Sequence, residues 1–91
     1  VEASRVEVGT GSEPYTVVLD AKANRIHAVI CNDGTVPVYL AFGQEAVPGY
    51  GVRLNPYGGS YEINISNLFT GTITAAVDGT APGFLSVLET V

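Results

Sequence analysis

Eight short runs of β-forming residues, separated by turn residues, constrain this chain more than any other feature. The separators are rich in Gly, Pro, Asn and Asp, which favour turns, and no segment shows the 3.6-residue period of an amphipathic helix. The runs cover residues 3–8, 15–20, 25–31, 36–42, 51–54, 60–65, 71–77 and 84–89. A regular spacing of about ten residues between such runs is typical of sandwiches and small barrels. The sequence therefore predicts an all-β fold, a small antiparallel β-sandwich or barrel of about eight short strands, forming a single domain over residues 1–91.

Local turn signals at two connections predict how the neighbouring strands are joined. The dipeptide Asp33-Gly34 lies between the third and fourth runs and favours the positive φ angles of a type I′ turn, so these runs are predicted to form a hairpin. Pro37 cannot donate to a ladder, so the strand that follows is predicted to begin at a sheet edge. Residues 43–51, GQEAVPGYG, form a long irregular loop.

The chain is short for the amount of apolar surface that it carries. Its 91 residues are 46% hydrophobic and its mean hydropathy is +0.28. A domain of this size buries only about 60–65% of its unfolded surface. Cys31 is the only cysteine and His27 the only histidine, so neither an internal disulfide nor a Cys/His zinc site can add stability. We therefore expect the domain to gain further burial by self-association or by docking on a larger body.

The charge balance is acidic and its cations are scattered. The chain has nine Asp and Glu residues and four Lys and Arg residues, for a net charge of −5. Without a cluster of cations to neutralise phosphates, binding to nucleic acid or to an anionic membrane surface is disfavoured. No stretch approaches the roughly 18 apolar residues of a membrane span. The sequence starts at Val1 rather than at Met, which is consistent with a longer natural polypeptide.

Two of the runs, RIHAVIC and FLSVLE, carry apolar side chains on both faces. In a two-layer sandwich only one face of each sheet packs on the core. We expect a neighbouring subunit to cover the second face, with Val29, Cys31, Leu85 and Val87 contributing buried area. The alternative is that small side chains such as Ala28 and Ala76 tolerate exposure.

The sequence offers little for catalysis or metal binding. His27 and Cys31 are four residues apart on one strand, which separates them by about 13 Å at 3.3 Å per residue. That distance excludes a thiolate–imidazole pair. Asp20, Asp33 and Asp78 could meet at one end of the sheets as a calcium site, although each is also a common turn residue. We therefore predict no enzymatic activity, catalytic residue, metal or cofactor.

Tyrosines are the most plausible contact residues. The chain has five Tyr and no Trp. Tyr50 and Tyr57 lie in Gly- and Pro-containing loops, where exposure is expected, and Tyr39 lies in a strand. Exposed tyrosines suit protein interfaces and sugar stacking because they offer a large contact area at little cost in entropy. The alternative is that these rings close the ends of the core.

Much of the chain resembles a recurrent module of virion proteins in tailed bacteriophages. The resemblance is carried by RIHAVICNDGTVPVYLAFGQEAVPGYGVRLNPYGGSYEI, then by NLFTGTITAAV and LSVLE, and it spans residues 25–89. Such modules are similar to capsid decoration proteins, head fibres and the attachment domains of tail or spike proteins. The resemblance implies a role on a symmetric shell, often as a trimer.

These observations lead to one hypothesis and two alternatives. The hypothesis is a non-enzymatic phage virion structural protein, a capsid decoration or head-fibre component that oligomerises and docks on the capsid. The first alternative is a carbohydrate- or receptor-binding module of a fibre or tail protein that recognises a cell-surface glycan through Tyr50 and Tyr57. The second is an accessory domain of a hydrolase. The predicted interface residues are Val29, Cys31, Tyr39, Tyr50, Tyr57, Leu85 and Val87.

Overall fold

The computed structural model describes residues 2–9, 15–77 and 81–91, and these form eight strands. The strands are β1 (Glu2–Val8), β2 (Thr16–Leu19), β3 (His27–Asn32), β4 (Val38–Phe42), β5 (Val52–Leu54), β6 (Ser60–Ile63), β7 (Ile73–Val77) and β8 (Gly83–Thr90). Each predicted run contains one strand, with boundaries that differ by at most two residues. The prediction of an all-β domain of eight short strands is confirmed.

The strands form two antiparallel sheets of four. Sheet 1 has the order β1-β8-β3-β6 and sheet 2 has the order β2-β7-β4-β5. Among the described strands, only β4 and β5 follow each other within one sheet, so every other connection crosses from one sheet to the other. Two four-stranded sheets linked in this order have the topology of a jelly roll, a sandwich built from Greek keys.

The core lies between the two sheets. It is filled by the side chains of each strand that point toward the opposite sheet. Ile30 and Leu85 from sheet 1 meet Leu40 and Ile73 from sheet 2, and all four are fully buried. Burying an aliphatic side chain of this size stabilises the fold by about 1.5–3 kcal/mol. The alternation of buried and half-buried residues along β3 is the period of two expected for a strand with one face on the core.

The predicted hairpin at Asp33-Gly34 is wrong. β3 pairs with β8 and β6, whereas β4 pairs with β7 and β5, so the segment between them crosses from sheet 1 to sheet 2. The crossing is held by the fully buried Asn32, whose Oδ1 accepts a hydrogen bond from Gly34 N at 3.0 Å. Its Nδ2 donates to Val36 O at 2.8 Å and to Leu54 O at 3.0 Å.

The predicted edge at Pro37 is also wrong, because β4 lies between β7 and β5 inside sheet 2. Pro37 directly precedes the strand, where no ladder hydrogen bond is required of it. Gly34 does not have a positive φ, but a Cβ there would lie 3.1 Å from the backbone N of Phe84, a tight contact that the neighbouring backbone would have to relieve.

At the other end of the sandwich, a buried arginine joins three segments. Arg25 is 1% exposed, and its Nε donates to Glu89 Oε2 at 2.7 Å. Its Nη1 donates to Phe69 O and Gly71 O, and its Nη2 donates to Asp20 O. The guanidinium thereby ties the β2–β3 and β6–β7 connections to β8.

Glu89 is the acidic member of this buried group. Burial alone would raise the pKa of its carboxyl, but hydrogen bonds and charges from Arg25 and Lys22 outweigh burial and lower the pKa below 4.5. Lys22 Nζ lies 3.1 Å from Glu89 Oε1, on the more exposed side of the group. Glu89 is therefore held ionised inside the fold.

Candidate functional site

The outer face of sheet 1 carries apolar side chains that the core does not use. We call Ala3, Val29, Cys31 and Leu88 the outer strip. Ala3 lies opposite Leu88, and Leu88 lies opposite Val29, so three neighbouring strands contribute one continuous row. Val29 and Cys31 are half-buried, while Leu88 is 40% exposed. Val29 and Cys31 thus lie on the outer face, as their predicted interface role requires.

Leu85 and Val87 do not belong to this surface, and their prediction as interface residues is wrong. They are 0% and 3% exposed and pack in the core. β8 directs Phe84, Ser86 and Leu88 outward instead. Because β8 is apolar on both faces, its sequence alone does not fix which alternate set points inward.

One pair of oppositely charged side chains lies on each side of the outer strip. On the β1 side, the guanidinium of Arg5 lies 5.0 Å from the Phe84 ring centroid and 2.8 Å from Asp33 Oδ2. On the β6 side, His27 Nε2 lies 2.7 Å from Glu62 Oε2. The single histidine therefore has a carboxylate partner on the neighbouring strand, a cross-strand contact that the spacing from Cys31 did not reveal.

The part of the outer face of sheet 2 that β7 and β4 form is covered by the chain itself. Thr74 and Ala76 on β7 alternate with the core residues, yet they are only 4% and 1% exposed. Ala46, from the 43–51 loop, packs with Ala76 and with Ala41 of β4, and Tyr15 packs against the same group. Ala46 therefore anchors the loop on the sheet, while the other residues of the loop are exposed.

A cavity of about 150 Å³ lies where the 43–51 loop meets β4. It is lined by Ala41, Gln44, Glu45, Val47, Tyr50 and Gly51. The Tyr50 ring is 74% exposed at its rim. Gly51 has a φ of 97°, and a Cβ at this position would collide with Leu40 O, so only glycine lets the loop approach the strand so closely.

The predicted exposure of Tyr50 and Tyr57 is confirmed, but the two rings do not share a surface. Tyr57 is 80% exposed and lies near Gly34, since Tyr57 N donates to Gly34 O. The β4–β5 hairpin separates the loops that carry the two rings, placing them at opposite ends of the hairpin. Tyr39 is half-buried on β4, opposite Arg53 and Ala76.

The alternative role for tyrosine, closing the end of the core, is found at a different ring. Tyr61 of β6 packs against Phe42 of β4 with ring centroids 5.2 Å apart. The Phe69 ring packs edge-to-face with Phe42, with ring centroids 5.5 Å apart. Aromatic rings from both sheets therefore fill this end of the sandwich.

The suggested calcium site is not assembled. Asp20 follows β2 and Asp33 follows β3, and these connections lie at opposite ends of the sandwich, while Asp78 falls outside the described residues. Across residues 2–9, 15–77 and 81–91, no three His, Cys, Asp or Glu side chains gather in a way that could hold a metal ion. In the same ranges, no helix has the length and apolar character needed to span a bilayer.

Comparisons of the chain with protein-family models, curated proteins and solved structures found no significant match.

Proposed function

We propose that this chain is a non-enzymatic virion module that self-associates through the outer strip of sheet 1 and decorates a phage shell, as a capsid decoration or head-fibre component. The observation that carries the proposal is the apolar row from Ala3 through Leu88 to Val29, which lies outside the core. The phage-module resemblance of residues 25–89 supports the virion context. Jelly rolls recur in viral capsid proteins and lectins, which supports the proposal at the level of fold alone.

A second copy of the chain suits the outer strip because each flank carries an exposed charged side chain that can meet one of opposite sign on the second copy. Arg5 on the β1 side and Glu62 on the β6 side are both more than half exposed. Turning a second copy about an axis parallel to the strands lays β1 of one copy over β6 of the other. Arg5 then approaches Glu62 of the second copy, and this attraction adds to the contacts that each group makes within its own chain, with Asp33 and with His27.

The size of the face indicates how strong this association can be. Four strands about 4.8 Å apart and four to eight residues long give a flat area on the order of 400 Å². A stable interface buries about 800 Å² on each partner. We therefore expect weak association in free solution, strengthened on a shell where many copies are held close together.

Two strand residues of similar exposure on opposite sheets provide a matched test. Leu88 on sheet 1 is 40% exposed and Val17 on sheet 2 is 43% exposed. Sedimentation velocity over a range of concentrations should show the wild type and Val17→Lys associating and Leu88→Lys remaining monomeric. As the protein concentration rises, Cys31 should react more slowly with a thiol reagent in the wild type and in Val17→Lys. In Leu88→Lys the rate should not change.

Two results would contradict self-association through this strip. The first is a wild type that stays monomeric with concentration-independent Cys31 reactivity. The second is a Val17→Lys variant that dissociates as readily as Leu88→Lys. The virion context is tested separately by the genes beside the coding sequence, where a major capsid gene supports the proposal and a metabolic operon opposes it.

A further inference from the structure

We propose that the cavity between the 43–51 loop and β4 is a shallow site for a single neutral sugar ring. The site lies against sheet 2, whereas the outer strip belongs to sheet 1. The proposal therefore goes beyond self-association and does not depend on it. It also differs from a shared platform of Tyr50 and Tyr57, because Tyr57 lies away from this cavity.

The loop that forms the cavity is held in place before any ligand binds. Gly43 N donates to Thr72 O at 2.8 Å, and Thr74 Oγ1 donates to Gln44 O at 2.7 Å. A third bond, from Tyr50 N to Val47 O at 3.1 Å, forms the turn that presents the tyrosine. Ordering a loop during binding costs affinity, and here that cost is largely met by folding.

The lining side chains match the chemistry of a pyranose. The exposed Tyr50 ring offers an apolar face on which the C–H face of a sugar can stack, since the ring combines an apolar body with a polar tip. The Glu45 carboxylate accepts hydrogen bonds from hydroxyl groups, and the Gln44 amide can both donate and accept. Ala41 and Val47 supply the apolar wall. Sites with this mixture of apolar surface and a few convergent polar groups are typical of small-molecule recognition.

Size and charge narrow the ligand class. A cavity of about 150 Å³ is smaller than the roughly 300 Å³ at which pockets begin to enclose drug-sized ligands, so one ring fits with part of it in solvent. Of the lining residues, Glu45 is the charged one, and the chain as a whole carries −5. Like charges repel, so sugars bearing a carboxylate are disfavoured. The site therefore suits neutral hexopyranosides.

The test is an amide-shift titration of the nitrogen-15-labelled full chain. The probes are methyl β-glucoside, methyl β-galactoside and methyl β-glucuronide. At least one neutral glycoside should shift amides of residues 43–51 with a dissociation constant on the order of 1–10 mM, as expected for a small half-open site. The glucuronide should bind at least about threefold more weakly.

Variants separate this site from other surfaces. Tyr50→Ala should weaken binding about tenfold, and Glu45→Gln about threefold, because stacking and one charged hydrogen bond are lost. Tyr57→Asn is the matched control, since it removes an equally exposed ring and asparagine tolerates the left-handed backbone at that position. It should bind like the wild type.

Several outcomes would overturn the proposal. These are a loop that no neutral glycoside perturbs, a Tyr57→Asn variant that binds as weakly as Tyr50→Ala, and a glucuronide that binds as tightly as the glucoside. Leu88→Lys should still bind sugar and Tyr50→Ala should still self-associate, so failure of one proposal is distinguishable from failure of the other.

Discussion

Replacing Arg25 with Met should destabilise the domain by about 4 kcal/mol. The guanidinium makes four hydrogen bonds, three to backbone carbonyls and one to Glu89. Neutral hydrogen bonds contribute about 1 kcal/mol and those to charged groups about 1.5–3 kcal/mol, while breaking a buried ion pair costs about 3–5 kcal/mol. Methionine fills much of the volume but leaves the carbonyls of Asp20, Phe69 and Gly71 without this donor. The expected loss is a large fraction of the roughly 5–15 kcal/mol that holds such a domain together.

The assay is urea unfolding followed by far-ultraviolet circular dichroism, because the chain has no Trp to report by fluorescence. Arg25→Lys keeps the charge but cannot reach four acceptors, so it should lose an intermediate amount and still fold. Arg5→Met is the control, because the Arg5–Asp33 pair is exposed and such pairs contribute at most about 1 kcal/mol. If Arg25→Met loses no more than Arg5→Met, the buried guanidinium does not hold these segments together.

Three further experiments test other parts of the structure. Because the pKa of Glu89 is lowered in the fold, this carboxylate contributes stability that is present above pH 4.5 and lost as the pH falls through the folded-state pKa. Glu89→Gln should flatten that part of the stability curve measured by urea midpoints, and an unchanged slope would contradict this. Asn32→Ala should lose about 2–4 kcal/mol in the same assay, because the buried Asn32 side chain makes three hydrogen bonds that disappear. A loss below about 1 kcal/mol would show that water replaces them. Gly49→Ala and Gly51→Ala both meet a positive φ, but only at Gly51 would the new Cβ collide with Leu40 O. Gly51→Ala should therefore melt at a clearly lower temperature than Gly49→Ala, and equal melting temperatures would contradict the close approach.

The strands could be predicted from the sequence because their signals are local. Alternation and turn residues mark where each run begins and ends, and all eight runs contain a strand. Pairing could not be predicted in the same way. Asp33-Gly34 carries a local hairpin signal, yet Asn32 bonds to Leu54 and the chain crosses to the other sheet. The direction of Leu85 and Val87 was missed because both faces of β8 are apolar.

The candidate sites, like the fold, could be predicted only where their signals are local. The exposure of Tyr50 and Tyr57 follows from their loops, whereas the cavity beside Tyr50 exists because Thr74, 30 residues away, anchors the loop at Gln44. Nothing in the local sequence distinguishes Arg25 from an exposed cation. Its acceptors at Phe69 and Gly71 lie 44 and 46 residues further along the chain, so its burial is decided by tertiary structure.

The position of β8 has a consequence for how this chain acquires its structure. β8 comes last among the eight strands, yet it lies between β1 and β3 in sheet 1. During synthesis on the ribosome, β1 has no partner and β3 has only β6 until β8 has emerged, whereas sheet 2 can be completed once β7 has emerged. Domains dominated by such distant pairings fold in roughly milliseconds to seconds. We therefore expect folding to be completed only after β8 has emerged, and truncation before β8 to leave an aggregation-prone product.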